Sequence, residues 1–432
     1  MAVRDSVGVA ILGCGNVGGA LAERLLTGAE EITRRTGLHL ELVGVAVSDL
    51  AKERSVDLPR SLLTDDAKEL VERDGVDIVV ELIGGIEPAR TLVEAALRSG
   101  RPVVTGNKAL LAEAGAELAH LAADNQVDLL YEAAVGGAIP VIRPLRESLA
   151  GERVVRVMGI VNGTTNYILT RMTEEGLDYD EALAEAQRLG LAERDPSADV
   201  QGDDAAAKAA ILAGLAFGSD LTGESVHREG ITQVRAVDVD FAGRLGYVVK
   251  LLAVAELVDG GPDLSVRVHP AMVPRSHPLA SVRGSFNAVF VEGDAAGELM
   301  LYGRGAGGVP TASAVLGDLI DAARNLQNGS PAPAPQRGAT PLRPLAELHS
   351  AFYLSLDVMD RPGVLATVAK VFGDHGVSIR AMEQVGLGDE ARLIFLTHTA
   401  LEGDMQATIA DLQGLDIVDR VGGFLRVIED DE

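Results

Sequence analysis

Residues 7–18 read Val-Gly-Val-Ala-Ile-Leu-Gly-Cys-Gly-Asn-Val-Gly, a short apolar run that ends in the spacing Gly-x-Gly-x-x-Gly. Gly13 permits a tight turn, Gly15 lets a pyrophosphate approach the backbone at the start of a helix, and Gly18 lets that helix pack on the strand. The stretch therefore predicts the strand, turn and helix of a dinucleotide-binding unit. The residues expected to contact the cofactor are Gly13, Gly15, Asn16, Val17 and Gly18.

Strands and helices go on alternating after this unit. Apolar runs at 40–47, 77–82, 102–105 and 128–131 read as strands, separated by helical sequence. This alternation predicts a parallel sheet with right-handed crossovers, and ligands of such sheets lie beyond the carboxyl ends of the strands. Lys108 falls at one of these ends and begins a helix, where the dipole favours anions. A role in ligand binding is therefore favoured for this lysine.

The end of the second predicted strand bears on the choice of cofactor. Asp49 lies there, and an acidic residue at this position binds the ribose hydroxyls of NAD. Lys52 and Arg54 follow closely, and a basic residue would accept the 2′-phosphate of NADP. The sequence leaves both cofactors open.

A second informative stretch, residues 193–208, reads Glu-Arg-Asp-Pro-Ser-Ala-Asp-Val-Gln-Gly-Asp-Asp-Ala-Ala-Ala-Lys. Asp204 and Lys208 are four residues apart, so a helix places both on one face, and Ile211 and Leu215 continue that face. A solvated ion pair would have polar neighbours there, and they are missing. A lysine beside a carboxylate at the edge of a buried face is a candidate proton-transfer group.

A second glycine-rich turn precedes a predicted helix that starts at Pro310. Residues 303–308 read Gly-Arg-Gly-Ala-Gly-Gly. Glycine amides at a helix N-terminus suit phosphate, so Gly305 and Gly307 are candidate cofactor contacts. A flexible connector explains this fragment equally well.

The predicted strand at 128–131 runs into Glu132 and the small-residue loop 133–140. A carboxylate followed by irregular backbone offers oxygen atoms to a hard cation. A strand-to-helix turn without any ligand is the simpler explanation of the same residues.

Composition limits the classes of partner. The 432 residues carry a formal net charge of −26, which argues against nucleic acid and anionic membranes and favours small molecules. The chain is 47% apolar and 24% charged, and we expect neither a membrane span nor a secretory signal. One cysteine excludes an internal disulfide framework and fits a reducing cytoplasm.

The predicted fold class is α/β, in three modules. Residues 1–135 are expected to form a Rossmann-type nucleotide-binding domain, and 136–324 an α+β catalytic and dimerisation domain with a second, antiparallel sheet. The helix at about 310–324 is a candidate to pack back on the Rossmann domain. A Pro-rich linker spans 325–347, and 348–432 have the β-α-β-β-α-β order of a ferredoxin-like fold.

Taken together, these motifs resemble the monofunctional homoserine dehydrogenases of the long type, over essentially the whole chain. The most specific match is the 193–208 stretch. The segments Thr-Gly-Asn-Lys-Ala-Leu-Leu-Ala at 105–112 and Tyr-Glu-Ala-Ala-Val-Gly-Gly at 131–137 also match. The last module, with Asp-Arg-Pro-Gly-Val-Leu at 360–365, resembles an ACT regulatory domain.

The resemblance implies NAD(P)-dependent interconversion of L-homoserine and L-aspartate 4-semialdehyde, a step toward threonine, methionine and isoleucine. By position, Lys208 becomes the general acid/base, and Lys108 also approaches the substrate and the nicotinamide, so which lysine transfers the proton stays open. Glu193 and Asp204 would hold the substrate's amino group and hydroxyl region, with Asp199 in support. A monovalent cation, usually sodium, would be held by Glu132 and the backbone carbonyls of Val135, Gly137 and Ile139.

The resemblance also implies a homodimer or homotetramer and feedback by an end product, with threonine the leading candidate effector at the ACT-like module. Two alternatives remain. One is another Rossmann-fold dehydrogenase of amino or hydroxy acids, against which the 193–208 signature argues. The other is a non-catalytic amino-acid sensor, which predicts loss of Lys208 or Asp204, and both are present.

Overall fold

The structure is a computed structural model that describes residues 6–332, 338, 340–386, 388 and 390–429. The proline-rich centre of the predicted linker, residues 333–335, lies outside the described residues. No helix of the described part is long and apolar enough to cross a membrane.

The first sheet is fully parallel and has the strand order β3-β2-β1-β4-β5-β6. This is the order of a Rossmann fold, so the predicted fold class is confirmed for the first module. Its strands are β1 (Val7–Leu12), β2 (Leu40–Ala46), β3 (Leu63–Thr64), β4 (Ile78–Glu81), β5 (Val103–Thr105) and β6 (Leu129–Leu130). Its helices are α1 (Asn16–Thr27), α2 (Ala29–Thr36), α3 (Ala67–Glu72), α4 (Ala89–Arg98) and α5 (Lys108–Asp124).

Two apolar cores cover the two faces of this sheet, because successive side chains of a strand point to opposite faces. Val9 and Ile11 of β1 belong to the core beneath α1, whereas Ala10 and Leu12 belong to the core beneath α4 and α5. A much later helix, α11 (Gly308–Asn328), packs against α1 and shares the first of these cores. The chain therefore returns to the Rossmann domain after it has built the second sheet.

The second sheet has the order β12-β11-β7-β9-β10-β17-β13-β15-β14. Its strands, with two short ones beside the main path, are β7 (Val154–Ile160), β8 (His227–Arg228), β9 (Tyr247–Leu257), β10 (Leu264–Pro274), β11 (Phe286–Gly293), β12 (Gly297–Arg304), β13 (His349–Met359), β14 (Ile379–Gly386), β15 (Glu390–Thr397), β16 (Ala400–Leu401) and β17 (Val418–Val427). The helices in this part are α6 (Gly163–Glu175), α7 (Tyr179–Arg188), α8 (Ser197–Val200), α9 (Asp203–Phe217), α10 (Ala236–Arg244), α12 (Val364–Asp374) and α13 (Glu402–Gln413).

Strands β7 and β9 to β12 pair antiparallel with one another, as predicted for the catalytic domain. Strands β13, β14, β15 and β17, with α12 and α13, complete the predicted ferredoxin-like unit, which we call the C-terminal module. Helix α9 contacts β9 and β10 on one side and α5 of the Rossmann domain on the other. This placement brings the 193–208 stretch to the boundary between the two sheets.

Candidate active site

A buried carboxylate, Asp204, joins two lysines that come from different domains. Lys208, one turn further along α9, places its Nζ 2.6 Å from Asp204 Oδ2 and donates to the carbonyl of Val161 at 2.7 Å. Lys108, the first residue of α5, forms an ion pair with Asp204 Oδ1. The structure thus brings three of the predicted site residues into one cluster, which we call the Lys-Asp-Lys cluster.

The local sequence explains why α9 begins and ends where it does. Gly202, at a φ of +90°, precedes the first turn in a conformation that a side chain would strain. Asp203 and Asp204 then place negative charge at the positive end of the helix dipole. Gly218, at a φ of +66°, ends the helix in the left-handed conformation. Between these ends the four-residue spacing carries Lys208 onto the buried face, beside Asp204.

The two lysines fix the charge of Asp204. Burial alone would raise the pKa of this carboxyl, but the ammonium groups of Lys208 and Lys108 outweigh burial and hold the pKa of Asp204 well below its usual range. Asp204 is therefore a carboxylate at neutral pH. With both lysines protonated, the cluster has one net positive charge, which suits a ligand oxygen that becomes negative during a reaction.

The two lysines differ in how firmly they are held. The side chain of Lys208 is 10% exposed and has two acceptors, whereas that of Lys108 is 47% exposed. Lys108 follows Asn107, whose Oδ1 accepts from the backbone N–H of Leu110 at 3.1 Å and caps α5. Lys108 therefore stands at the carboxyl end of β5 with about half of its side chain exposed and accessible to a ligand.

Asn162 is a site residue that sequence reasoning missed. Its Nδ2 donates to Asp204 Oδ2 at 2.9 Å and to Asp199 Oδ1 at 2.7 Å. Its Oδ1 accepts from the backbone N–H of Thr165 at 2.9 Å and so caps α6. The pattern Asn-Gly-Thr-Thr is typical of a helix cap, but nothing local indicates that the free amide group reaches two carboxylates of another segment.

The structure separates Glu193 from this cluster. Glu193 is exposed on the loop between α7 and α8, and its backbone carbonyl accepts from Gln187 Nε2 at 3.1 Å. Within the described residues, no hydrogen bond or ion pair joins its side chain to Asp204 or to either lysine. The carboxylate of Glu193 is thus exposed on this loop and accessible to a charged ligand.

The glycines of the first turn differ in how closely other atoms approach them. An ideal Cβ on Gly13, which has a φ of +97°, would lie 2.6 Å from the carbonyl oxygen of Leu82, and one on Gly18 would lie 2.1 Å from that of Gly13. A Cβ on Gly15 would meet no atom within 4 Å. Gly13 and Gly18 are required by close backbone approaches, while Gly15 faces open space where a pyrophosphate can approach.

The second glycine turn lies against the first. An ideal Cβ on Gly308 would lie 2.7 Å from the carbonyl oxygen of Asn16, and one on Gly137 would lie 2.5 Å from that of Gly305. The backbone N–H of Ala138 donates to the carbonyl of Arg304 at 3.1 Å. The segment that holds Gly305 and Gly307 is therefore fixed between the start of α1 and the loop 133–140, which argues against a flexible connector.

At the end of β2, Asp49 and Arg54 are oriented differently. Asp49 Oδ1 accepts from the backbone N–H of Ala51 at 2.8 Å, so this carboxylate is turned toward its own loop. Arg54 donates to the backbone carbonyl of Lys52 at 2.7 Å and to that of Asp49. Burial raises the pKa of the Cys14 thiol, and the Arg54 guanidinium beside it opposes that rise. Arg54 thus lies next to the first glycine turn.

The Glu132 carboxylate accepts hydrogen bonds from backbone N–H groups of the segment that follows it. Glu132 Oε1 accepts from the N–H groups of Val141 and Ile142 at 2.6 and 2.7 Å, and Oε2 accepts from that of Arg143 at 2.9 Å. The described part of the chain holds no cluster of three or more His, Cys, Asp or Glu residues suited to a metal ion. The backbone carbonyl groups of the loop, including that of Glu132 itself, are further candidate ligands for a cation here.

Asp318 of α11 is a second buried carboxyl at this place. Its Oδ2 accepts from the backbone N–H of Glu132 at 2.6 Å, and Arg143 Nη2 lies 3.2 Å from its Oδ1. Burial raises the pKa of Asp318 to about 7, because it outweighs the Glu132 N–H and the Arg143 guanidinium, and the nearby Glu132 carboxylate adds to the rise.

Asp318 should make stability depend on pH. An unfolded aspartate titrates near pH 4, so between about pH 4 and pH 7 the folded state holds a proton that the unfolded state has lost. The free energy of unfolding should therefore fall as pH rises through this window, and Asp318→Asn should remove that part of the slope. Thermal unfolding measured from pH 4 to pH 8 checks this. Asp321→Asn, which removes the other carboxylate beside Arg143, is the control and should keep the wild-type slope.

Three family descriptions match successive parts of the chain. The family described as "Homoserine dehydrogenase, NAD binding domain" matches residues 13–132, "Homoserine dehydrogenase" matches residues 140–320, and "ACT domain" matches residues 352–416. The first two matches meet at the Lys-Asp-Lys cluster, since they contain Lys108 and Lys208 respectively.

Known proteins resemble the chain over nearly its full length. The chain is 50% identical over 430 residues to the homoserine dehydrogenase of Corynebacterium glutamicum, with 99% of this chain and 96% of that protein covered. The crystal structure of a homoserine dehydrogenase from Thiobacillus denitrificans matches with a TM-score of 0.92 at 42% identity and covers 98% of each chain. A hyperthermophilic archaeal homoserine dehydrogenase in complex with NADPH matches 74% of this chain and 98% of its own, with a TM-score of 0.60 at 31% identity.

Proposed function

The chain belongs to the homoserine dehydrogenase family and is an NAD(P)-dependent oxidoreductase, and we propose that it interconverts L-homoserine and L-aspartate 4-semialdehyde at the Lys-Asp-Lys cluster. The observation that carries this assignment is the meeting of Lys208 and Lys108 on one buried carboxylate, at the carboxyl end of the Rossmann strands. Neither alternative function is favoured. The cluster is intact, which a non-catalytic sensor would not need, and the relatives that match the chain over nearly its full length are homoserine dehydrogenases.

Lys208 is the proton donor that the geometry supports best. Two of its three N–H donors are committed to Asp204 and to the carbonyl of Val161, which fixes Nζ and leaves one donor for a substrate oxygen. When bound, the nicotinamide supplies hydride to the aldehyde carbon. Lys208 gives a proton to the oxygen of that group as negative charge develops there, and Asp204 stabilises the lysine as a cation before the transfer. In homoserine oxidation the neutral amine of Lys208 accepts the hydroxyl proton.

The remaining carboxylates suit the substrate's ammonium group. Glu193 presents an exposed carboxylate on the loop between α7 and α8, and Asp199 is held in place by the amide of Asn162. The half-exposed side chain of Lys108 supports a contact of this lysine with both the substrate and the nicotinamide. We assign Glu193, Asp199 and Asp204 to substrate binding and Lys108 to both ligands.

For the cofactor, the two glycine turns are the proposed pyrophosphate site, and Arg54 favours NADP. Asp49 is turned into its own loop, whereas Arg54 lies beside the first glycine turn with donors to spare for a 2′-phosphate. The archaeal relative in complex with NADPH supports this choice. Homoserine oxidation measured with NAD and NADP side by side tests reaction and cofactor together, and no turnover with either would contradict the function.

Arg54→Ala should raise KM for NADP by about tenfold or more, the cost of a lost charge-assisted contact to phosphate, and should change KM for NAD much less. Steady-state kinetics with both cofactors measure the difference. Lys52→Ala removes the same charge from the same loop and is the matched control. Equal effects of Arg54→Ala on both cofactors would show that Arg54 does not bind the 2′-phosphate.

We also propose a sodium site on the backbone carbonyls of Glu132, Val135, Gly137 and Ile139. Positive φ angles of +74° at Gly136 and +59° at Gly137 turn this loop in a way that other residues rarely adopt. The Glu132 carboxylate stabilises the loop through the amides of Val141 to Arg143 rather than by facing the cation. The cofactor assay repeated in sodium chloride and in choline chloride tests the site, and equal rates would argue against it.

The ACT domain is the proposed site of a feedback effector, threonine, and of contact between subunits. Strand β14 is one of the two edge strands of the sheet, and Met382 is one of its exposed side chains. A second copy of the chain could add its own β14 to this edge, which gives a homodimer or a homotetramer. Light scattering measures the oligomeric state, and the homoserine assay with and without threonine measures feedback. A monomer whose activity is insensitive to threonine would contradict both proposals.

A further inference from the structure

The last strand of the C-terminal module continues the catalytic sheet. Strand β17 pairs parallel with β10, with Arg426 opposite Ala271 and Val427 opposite Met272, and the N–H of Ile428 donates to the carbonyl of Met272 at 2.9 Å. This pairing seats β17 beside the strand against which α9 packs. A side chain on β17 can therefore act on the active-site segment through direct contacts.

Arg426 is the β17 side chain in that position. Its side chain is 2% exposed, and its guanidinium lies between two carboxylates from different parts of the fold. Glu402 of α13 accepts from Arg426 Nε and Nη2 at 2.9 and 2.7 Å, and Glu229 of the catalytic domain accepts from Nη1 and Nη2 at 3.0 and 2.7 Å. Both contacts are bidentate, the arrangement that fixes orientation as well as distance.

Glu229 begins a segment that supports the loop before α9. The N–H of Glu229 donates to the carbonyl of Val268 on β10, and the N–H of Ile231 donates to the carbonyl of Val200, both at 2.8 Å. Between them, Gly230 lies so close to this loop that an ideal Cβ would be 2.2 Å from the carbonyl oxygen of Val200. A shift of Glu229 would therefore displace Val200.

Val200 ends α8, and its neighbour is a residue of the site. Asp199 accepts from Asn162 Nδ2, and the same amide donates to Asp204. Gly202, which starts α9, also faces this segment, since an ideal Cβ there would lie 3.4 Å from the carbonyl oxygen of Glu229. A continuous series of direct contacts thus leads from Arg426 to the carboxylate that binds both lysines.

We propose that Arg426 and Glu229 are positioning residues for the reaction: the C-terminal module holds Asp199 and the start of α9 in register through this ion pair. The inference rests on the proposed site function of Asp199, Asp204 and Lys208. It gives the C-terminal module a direct part in building the substrate site, whether or not an effector is bound. A movement of that module would therefore be transmitted to the substrate site through the Arg426–Glu229 contact.

Glu229→Ala is the variant that tests the inference, because Arg426 keeps the carboxylate of Glu402 and is not left as an unpaired buried charge. We expect kcat/KM for homoserine to fall about tenfold or more, as small displacements of catalytic groups do, with KM for the cofactor unchanged. Glu229→Gln, which keeps an acceptor for Arg426, should recover part of the loss. Glu383→Ala is the matched control, since it removes a carboxylate paired at 2.7 Å with Arg244, also between the C-terminal module and the catalytic domain but exposed.

A double-mutant cycle with Asp199→Asn separates positioning from general destabilisation. If Glu229 acts through Asp199, the loss in the double variant should be smaller than the product of the single losses. Independent, multiplicative losses, or an effect of Glu229→Ala no larger than that of Glu383→Ala, would overturn the inference. Lys208→Ala in the same series distinguishes failure of the proposed function from failure of the positioning inference. Full activity of Lys208→Ala would contradict the proposed active site. An inactive Lys208→Ala together with an unaffected Glu229→Ala would contradict only the positioning role of Glu229.

Discussion

Lys208→Ala should lower kcat by about 10²–10⁴-fold, the usual contribution of a general acid/base, while KM for the cofactor stays nearly unchanged. The reason is local. Asp204 keeps Lys108 as a partner and the helix keeps its buried face, so the substitution removes a proton donor without leaving the carboxylate alone. Pre-steady-state and steady-state rates of homoserine oxidation measure the loss. Wild-type turnover in this variant would contradict the assignment of Lys208.

Lys108→Ala, measured in parallel, shows which lysine transfers the proton. Lys108 is half-exposed and has one acceptor in the cluster, so we expect a larger effect on KM for both ligands and a smaller effect on kcat than in Lys208→Ala. The pH profiles add a second criterion. In homoserine oxidation the general base must be neutral, so kcat falls on the acidic side of the profile. An acidic limb in kcat that is lost only in Lys208→Ala identifies Lys208 as the general base, and a limb lost only in Lys108→Ala would transfer that role to Lys108.

The parts of this site that could be predicted from the sequence are those encoded locally. Asp204 and Lys208 are one helical turn apart, so their pairing follows from helix geometry alone. The Asn162 amide and the Val161 carbonyl reach the same two side chains from 42 and 47 residues away, and Lys108 reaches Asp204 from 96 residues away. Such contacts depend on how sheets and helices stack, which no short spacing specifies.

The fold shows the same division. Glycine spacing and strand-helix alternation predicted the Rossmann order, because each step of that topology is a short crossover. The cation site predicted from Glu132 and the irregular loop after it stays a prediction. The sequence did not indicate that the Glu132 side chain accepts three amides of the segment that follows it. The β-α-β-β-α-β order predicted a C-terminal module, but the pairing of β17 with β10 joins strands far apart in the chain and carries no local signal.

That pairing leads to the second large effect: deletion of residues 345–432 should abolish cooperative folding of the remainder as an isolated chain. The deletion removes β17, the strand that pairs with β10 beside Met272. It also removes side chains of the C-terminal module from the apolar core that the module shares with the catalytic domain. The side chains lost from that core are Ala351, Tyr353, Ile394, Leu396, Leu425 and Val427. Full burial of a large apolar side chain contributes about 1.5–3 kcal/mol, and a domain is stable by only about 5–15 kcal/mol. Calorimetry of the truncated chain against the full chain measures the loss.

The polar contacts across this boundary point the same way. Asp238 of α10 is fully buried and accepts from Tyr353 Oη and Ser355 Oγ, each at 2.9 Å, so the deletion strips a buried carboxylate of two donors at once. Tyr353→Phe removes one of these donors and keeps the ring, and as a control it should lower the melting temperature without preventing folding. A truncated chain that melts cooperatively near the full-length temperature would contradict the shared core.

This outcome also decides how feedback can be tested. If the C-terminal module were an independent attachment, a truncated enzyme that lost threonine inhibition would identify the effector site. Because β17 and the shared core bind the module to the catalytic domain, loss of inhibition in a truncated chain would only report loss of structure. The archaeal relative, which matches 74% of this chain, indicates that a shorter enzyme of the family can fold. We therefore attribute the expected dependence of folding on the C-terminal module to the apolar and buried acidic groups of this chain that face the module. The informative comparison is therefore full-length protein with single changes in the turn 360–363, assayed with threonine, where folding is preserved and only inhibition should change.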